Sequence, residues 1–230
     1  PRGINLSTQY AFHHHFVLAE RTVGDQTYKT LSFPMTIPGS SDGKIVGLEE
    51  RGRRKQDGTS YKGMARGSNA SEGLWIASPM GTKLQDAKRV FIFESAYDAM
   101  AFYQMLAGKD SNLTTQEKKE LVGGVYASTG GNPSAKQFEG LLRTAKDATF
   151  HMGFDMDDAG MKFADMFRDL AEKANVPSNR VIREETKDGY KDFNEELLAM
   201  IECKNHPLAK GNVPEEYKAY VDSFRKGTDN

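Results

Sequence analysis

Two short apolar runs end in acids and then open into helical patterns: Phe91-Ile92-Phe93-Glu94 and, further along, Phe154-Asp155-Met156-Asp157-Asp158-Ala159-Gly160. A buried strand followed at once by a helix is half of a βαβ unit, so this pair constrains the fold more than any other feature. In an open parallel sheet the carboxyl ends of the strands form the ligand-binding edge, and both acidic groups fall there. Glu94, Asp155 and Asp157 would converge at that edge. Their ligand atoms are all hard oxygens, which suit Mg²⁺ or Mn²⁺ better than zinc, and such ions assist phosphoryl transfer by holding the attacking and leaving oxygens.

The rest of the chain supports a parallel sheet in its second half. A strand is read at 90–93, and a helix over 96–106 carries Met100, Tyr103 and Leu106 on its apolar face. Thr114 with Glu117, and Ser134 with Gln137, have capping-box spacing and should each start a helix. Val125-Tyr126-Ala127 reads as a strand running into Ser128-Thr129-Gly130-Gly131. A strand over 148–154 leads to the aspartates, and Phe163, Met166, Phe167, Leu170, Ala171 and Ala174 then fall at core helical spacing. Residues 180–183 read as a last strand, 187–197 carry a third acidic segment, and 214–224 read as a terminal helix. Before the Pro79-Met80-Gly81 boundary the signals are β, at 16–18, 30–37, 44–51 and 74–77, with Val23-Gly24-Asp25 and a Gly- and Ser-rich run at 38–43 as punctuation.

Composition narrows the function classes. Charged residues make up 27% and hydrophobic ones 38%, with no run long enough for a membrane span or a signal-peptide core, so a soluble, cytoplasmic protein is expected. The single cysteine, Cys203, excludes an internal disulfide framework and a Cys-rich zinc module within these residues. His13, His14 and His15 are consecutive between Phe12 and Phe16, and on a strand they would alternate faces instead of sharing one ion. The chain opens at Pro1, which reads as a piece of something longer. The net charge of −1 carries no global sign of nucleic-acid binding, yet residues 44–66 hold seven basic side chains (Lys44, Arg51, Arg53, Arg54, Lys55, Lys62, Arg66) against Glu49, Glu50 and Asp57. Composition alone leaves a phosphate-backbone contact and a solvated loop equally open.

Single acids have ordinary explanations: Asp158 can be a helix N-cap, and Asp98 a first-turn acid favoured by the macrodipole. Asp155 and Asp157 are harder to set aside, because residues two apart at a strand end point the same way and repel unless a cation lies near them. An EF-hand is excluded: counted from Asp155, Met166 stands where a bidentate Glu is required. A haloacid-dehalogenase-like phosphatase also has an apolar strand before Asp-x-Asp, but there it opens the fold, whereas here most of the chain precedes it.

Glu94 with Asp98 and Ala99, the small-residue turn at Ser128-Thr129-Gly130-Gly131, the Asp155-x-Asp157-x-Ala159-Gly160 segment and Lys191-Asp192-Phe193-Asn194-Glu195 together closely resemble the Toprim domain of primases, topoisomerases and certain nucleases. Upstream, Phe33-Pro34-Met35, Gly43-Lys44-Ile45-Val46-Gly47-Leu48-Glu49-Glu50-Arg51, Tyr61-Lys62, Ser68 and Leu74-Trp75 are similar to the lobe preceding Toprim in bacterial replicative primases, so the likeness spans residues 31–197. It departs at Ser95, where a glycine is common, at Asn194, where an acid is more frequent, and in lacking the zinc-binding template module and the helicase-binding bundle. The compact form looks most like primase-like Toprim proteins of mobile elements.

The resemblance implies an α/β Toprim domain over 86–205 with a mostly parallel central sheet flanked by helices, a β-rich basic lobe over 1–85, and a helical tail over 206–230. It implies Glu94, Asp155 and Asp157 as the catalytic metal centre for Mg²⁺ or Mn²⁺, with Asp98 and Asp192 as accessory acids, and Arg51, Arg54, Lys62, Arg66 and Lys191 as phosphate or nucleic-acid contacts. The activity implied is primase-like nucleotidyl transfer. A Toprim nickase or nuclease, and a non-catalytic nucleic-acid-binding module of a transfer or replication complex, are the alternatives. Implied partners are single-stranded DNA or an RNA–DNA hybrid, nucleoside triphosphates, and a helicase or relaxase of a mobile element.

Overall fold

The computed structural model describes residues 2–53, 59–108, 114–187 and 189–205. Arg54 and the predicted helix at 214–224, with the whole 206–230 tail, lie outside the described residues. No helix among the described residues is long and apolar enough to cross a membrane.

The first half is antiparallel. After a short helix α1 (Leu6–Ala11), β1 (Val17–Val23) and β2 (Gln26–Thr36) form a hairpin whose register, Val23↔Gln26, leaves Gly24 and Asp25 as a two-residue turn. Gly24 takes φ +60°, the left-handed conformation such hairpin turns need. Then β3 (Ile45–Gly52) pairs with β2, and β4 (Lys62–Met64) with β3. The helix α1 corrects the expectation that the histidines sit on a strand: His13, His14 and His15 follow α1 in a turn, and the His15 carbonyl accepts a hydrogen bond from the Trp75 indole N–H at 2.6 Å.

The second half alternates strand and helix as the sequence predicts: β6 (Arg89–Phe93), α2 (Ala96–Ala107), α3 (Thr115–Val122), β7 (Val125–Ser128), α4 (Ala135–Thr144), β8 (Thr149–Gly153), α5 (Asp158–Lys173), β9 (Val181–Arg183) and α6 (Phe193–Asn205). Both predicted capping boxes, Thr114 with Glu117 and Ser134 with Gln137, are present with reciprocal hydrogen bonds. The strands β7, β6, β8 and β9 are parallel neighbours in that order. Between the halves, β5 (Leu74–Ala77) pairs antiparallel with both β2 and β7, so the described strands make one nine-stranded sheet.

Strand alternation divides the core into two layers. Phe91, Phe93, Trp75 and Tyr126 face α2 and α6, while Val90, Ile92, Val125 and Phe150 face α4 and α5. The consequence for the site is direct. The helix leaving β6 lies on one face and the helix leaving β8 on the other, so the side-by-side ends of these strands form a switch point of the kind at which open α/β sheets bind ligands.

Candidate active site

Glu94 follows β6, and its half-buried carboxylate accepts a hydrogen bond from the Asp155 backbone N–H at 3.1 Å, past the end of β8. The next residue, Ser95, is the N-cap of α2: its hydroxyl accepts from the Asp98 N–H and donates to the Asp98 carboxylate. The other Asp98 oxygen accepts from the Asn194 N–H at 3.1 Å, so this buried acid joins the starts of α2 and α6. Asn194 in turn holds the N-terminal segment, donating to the Arg2 carbonyl at 2.7 Å and accepting from the Arg2 guanidinium at 3.2 Å. Both departures from the Toprim pattern, Ser95 and Asn194, thus have local structural roles.

The N-cap of α5 is Asp157 and not Asp158, a correction to the sequence reading: Asp157 Oδ1 accepts from the Ala159 and Gly160 amides at 3.1 and 3.0 Å, and Asp158 is the first helical residue. Gly160 is needed here because a Cβ would overlap the Asp155 carbonyl oxygen. The Asp155 carbonyl also accepts from Arg183 Nη2 at 2.9 Å, and the Met156 N–H donates to the Lys191 carbonyl at 2.7 Å. Lys191 Nζ lies 3.0 Å from Asp157 Oδ2 and 3.5 Å from Asp155 Oδ2, an ammonium shared by the two aspartates. Asp192 caps α6, accepting from the Glu195 N–H at 2.7 Å.

The electrostatics are those of crowded carboxylates. Burial and then the charge of Asp155 push Glu94 up to about 7. Burial and then Asp192 push Asp98 up to about 7, and the same two causes raise Asp155 against the pull of Lys191. Asp157 is held low by the Gly160 amide and Lys191, and Lys191 is raised by its bond to Asp157. The expected convergence of three carboxylates is not the arrangement adopted: among the described residues no three of His, Cys, Asp and Glu stand close enough to hold a metal ion. The acids meet in pairs, with Asp157 engaged as a helix cap and Lys191 across the aspartates. The donor set nevertheless fits the divalent ion that the Toprim resemblance implies. It is all carboxylate oxygen, and its mutual repulsion is what a hard cation relieves.

On the antiparallel side, Lys62 and Arg66 are exposed, and the Lys62 charge is felt at both Glu94 and Glu49, so it faces the acidic edge. Arg51 departs from the expected open phosphate contact. Its side chain is 4% exposed and ion-paired with Glu49, which itself accepts from Ser128 Oγ at the end of β7. Sequence reasoning missed Arg183 and the partner role of Glu49. A lone Arg on a short strand has no motif, but Glu49 and Arg51, two apart on a predicted strand, share a face and signal a possible pair.

The Toprim-like family model (Toprim_2) matches residues 91–197, which contain the Glu94, Asp155, Asp157 and Asp192 segments. The primase fragment of the bacteriophage T7 primase-helicase protein superposes with a TM-score of 0.54 at 20% identity, covering 86% of this chain and 68% of that one. The DnaG catalytic core gives 0.48 at 14% identity over 96% and 69% of the two chains, and the RNA polymerase domain of Mycobacterium tuberculosis primase DnaG 0.42 at 17% over 90% and 67%. No curated protein sequence matches the chain. The family match falls on the parallel half of the sheet and the likeness to the T7 primase fragment extends over the antiparallel half, so residues 91–197 are similar to Toprim domains and the chain shares its fold with that primase fragment.

Proposed function

We propose that the chain is a divalent-metal-dependent enzyme of nucleic acids, performing primase-like nucleotidyl transfer on single-stranded DNA. The observation that carries this reading is the Glu94–Asp155 juncture: two acids from the ends of adjacent parallel strands, linked at 3.1 Å, inside a Toprim-like domain. On this reading residues 86–205 are the metal-binding domain and 1–85 the nucleic-acid lobe. Glu94, Asp155 and Asp157 hold Mg²⁺ or Mn²⁺, which supplies charge neutralisation at the transferred phosphoryl group. Asp98 and Asp192 orient the surrounding segments, Asp98 by tying α2 to α6 and Asp192 by capping α6. Lys62 and Arg66 neutralise strand or triphosphate phosphates, and Lys191 turns from the aspartates to phosphate. Partners are single-stranded DNA and nucleoside triphosphates, within a replication or mobile-element complex that includes a helicase or relaxase.

The test is end-labelled single-stranded DNA incubated with nucleoside triphosphates and Mg²⁺ or Mn²⁺, beside Asp155→Asn and the Asp155→Asn/Asp157→Asn double variant. Longer products are expected in the wild type, with a loss of at least about a hundredfold in the single variant, the scale of removing a group that stabilises transition-state charge. Its fold should be retained by circular dichroism. Shorter products that vanish in the variants would make the protein a nuclease instead. An unchanged band in every lane would overturn the catalytic reading in favour of a binding module.

A further inference from the structure

Residues 2–5 run as a strap across α2 and α6, and a side-chain amide from each helix clasps its backbone. Gln104 of α2 donates to the Gly3 carbonyl at 3.0 Å and accepts from the Asn5 N–H at 2.8 Å. Asn194 of α6 makes the second clasp, donating to the Arg2 carbonyl at 2.7 Å and accepting from its guanidinium, which also stands 5.1 Å from the Tyr97 ring centroid. Between the clasps the strap turns at Gly3, φ +74°, where a side chain would be strained and would press on Ile201 and Leu198 of α6.

Asn194 is 2% exposed, and its carboxamide does what a carboxylate cannot. An aspartate there would still accept from the Arg2 guanidinium, but it would set an oxygen against the Arg2 carbonyl in place of the amide donor. The departure from the Toprim pattern at this position is therefore the feature that fastens the strap. The backbone of the same residue reaches the acids, because its N–H donates to Asp98 at 3.1 Å. Three residues earlier, the Lys191 carbonyl accepts from the Met156 N–H at 2.7 Å, between Asp155 and Asp157. The segment from Lys191 to Asn194 thus joins the turn that follows β8 to the start of α2, with the strap fixed to its end. A cation at the acid edge and a docked strap both favour this one arrangement of the segment. Two events that favour the same state favour each other, and by the same factor.

We propose that the strap and the acid edge are thermodynamically coupled through Asn194, so that docking of residues 2–5 strengthens divalent-ion binding and ion binding tightens the strap. Asn194 is a positioning residue, and the two states are strap docked and strap released. The coupling rests on the metal-binding reading above and adds to it a point of control remote from the ion: whatever displaces residues 2–5 weakens the metal site.

The test is made on the full chain. Amide hydrogen exchange of Asn5, read by nuclear magnetic resonance, should slow about fivefold when EDTA is replaced by saturating Mg²⁺, the low end of couplings between sites. Gly3→Val puts a branched side chain at a positive φ, and should release the strap and weaken Mn²⁺ binding about fivefold in an electron paramagnetic resonance titration, with the thermal transition retained. Gln104→Ala opens the other clasp without touching Asn194 or any acid, and should weaken Mn²⁺ in the same direction by less. In Asn194→Ala the link is gone, so Mg²⁺ should no longer slow Asn5, and adding Gly3→Val should leave the Mn²⁺ affinity unchanged. A strap that only supports the fold would lower the melting temperature in Gly3→Val and Gln104→Ala with Mn²⁺ affinity at the wild-type value. That result, or an Asn5 rate indifferent to Mg²⁺, would overturn the coupling and leave the metal site standing. A wild-type chain that binds no Mn²⁺ would overturn the metal reading and the coupling together.

Discussion

The two halves of the sheet bury charge in opposite ways. In the parallel half, Glu94, Asp98 and Asp155 come from separate strand and helix ends, and burial and then neighbouring acidic charge raise their proton affinity. In the antiparallel half, Glu49 and Arg51 stand two apart on one strand and face, and pair as opposite charges. The difference follows from topology. Parallel strands deliver all their carboxyl ends to one edge, where like charges collect, whereas alternation along one strand can set an acid and a base side by side. Collected acids call for a cation from outside, and the internal pair needs none.

The contrast can be broken most severely at the turn that brings Asp155 to the edge. Gly160→Ala should cost about 2–3 kcal/mol in urea unfolding, the scale of an overpacked site, because its Cβ meets the Asp155 carbonyl. An unchanged midpoint would mean that the turn can open and the crowding is not enforced. Next in size is Lys191, the internal cation already lying between the aspartates. Lys191→Ala should tighten Mn²⁺ binding about tenfold, or ~1.4 kcal/mol, by electron paramagnetic resonance titration. Equal or weaker affinity would show that the ammonium does not stand in for a metal.

A third prediction sharpens the comparison through pH. A carboxyl with a raised folded pKa holds its proton more tightly when folded, so the Glu94 contribution is fully present below its ordinary pKa of 4.5 and lost as pH rises to about 7. Glu94→Gln should therefore stabilise the metal-free protein at pH 8 but not at pH 4, by on the order of 1 kcal/mol after allowance for partial exposure. Thermal melts at the two pH values decide it, and a gain at pH 4 alone would reverse the assigned sign. The smallest effect belongs to the exposed side of the antiparallel half: Lys62→Ala should weaken single-stranded DNA binding several-fold and reduce the log–log salt slope by about 0.7. A slope equal to wild type would remove Lys62 from the phosphate contacts.

The parallel half was largely legible because its signals are local. A buried run stopping at an acid announces both a strand and its edge, and Thr114–Glu117 and Ser134–Gln137 announce helix starts through contacts three residues apart. What escaped depended on long-range contacts or on a single residue of phase. The helix α1 is short, with Leu6 and Tyr10 exposed, so it has no apolar stripe to read. Asp157 and Asp158 are both good caps, and only the close approach of Gly160 to Asp155 settles which begins α5. Arg51 looked like one more cation in a basic stretch; its spacing from Glu49 signals a pair, but the burial of that pair beneath the sheet, where Glu49 accepts from Ser128 of β7, depends on contacts distant in sequence. The primase likeness of the sequence carried the fold across these gaps, since the antiparallel half has few motifs of its own.

The strand β5 gives the molecule an indexed geometry. Trp75 faces one core layer and Leu74 the other, so sliding β5 by one residue would exchange them, and the smallest slip that keeps both buried is two residues, about 7 Å. The separation between Lys62 and the acid ends is therefore set in discrete steps by backbone pairing through β3, β2, β5 and β7. A substrate bound between them meets a fixed gauge, and any accommodation must come from bending at the register shift between Met35 and Thr36, not from translation of one half past the other.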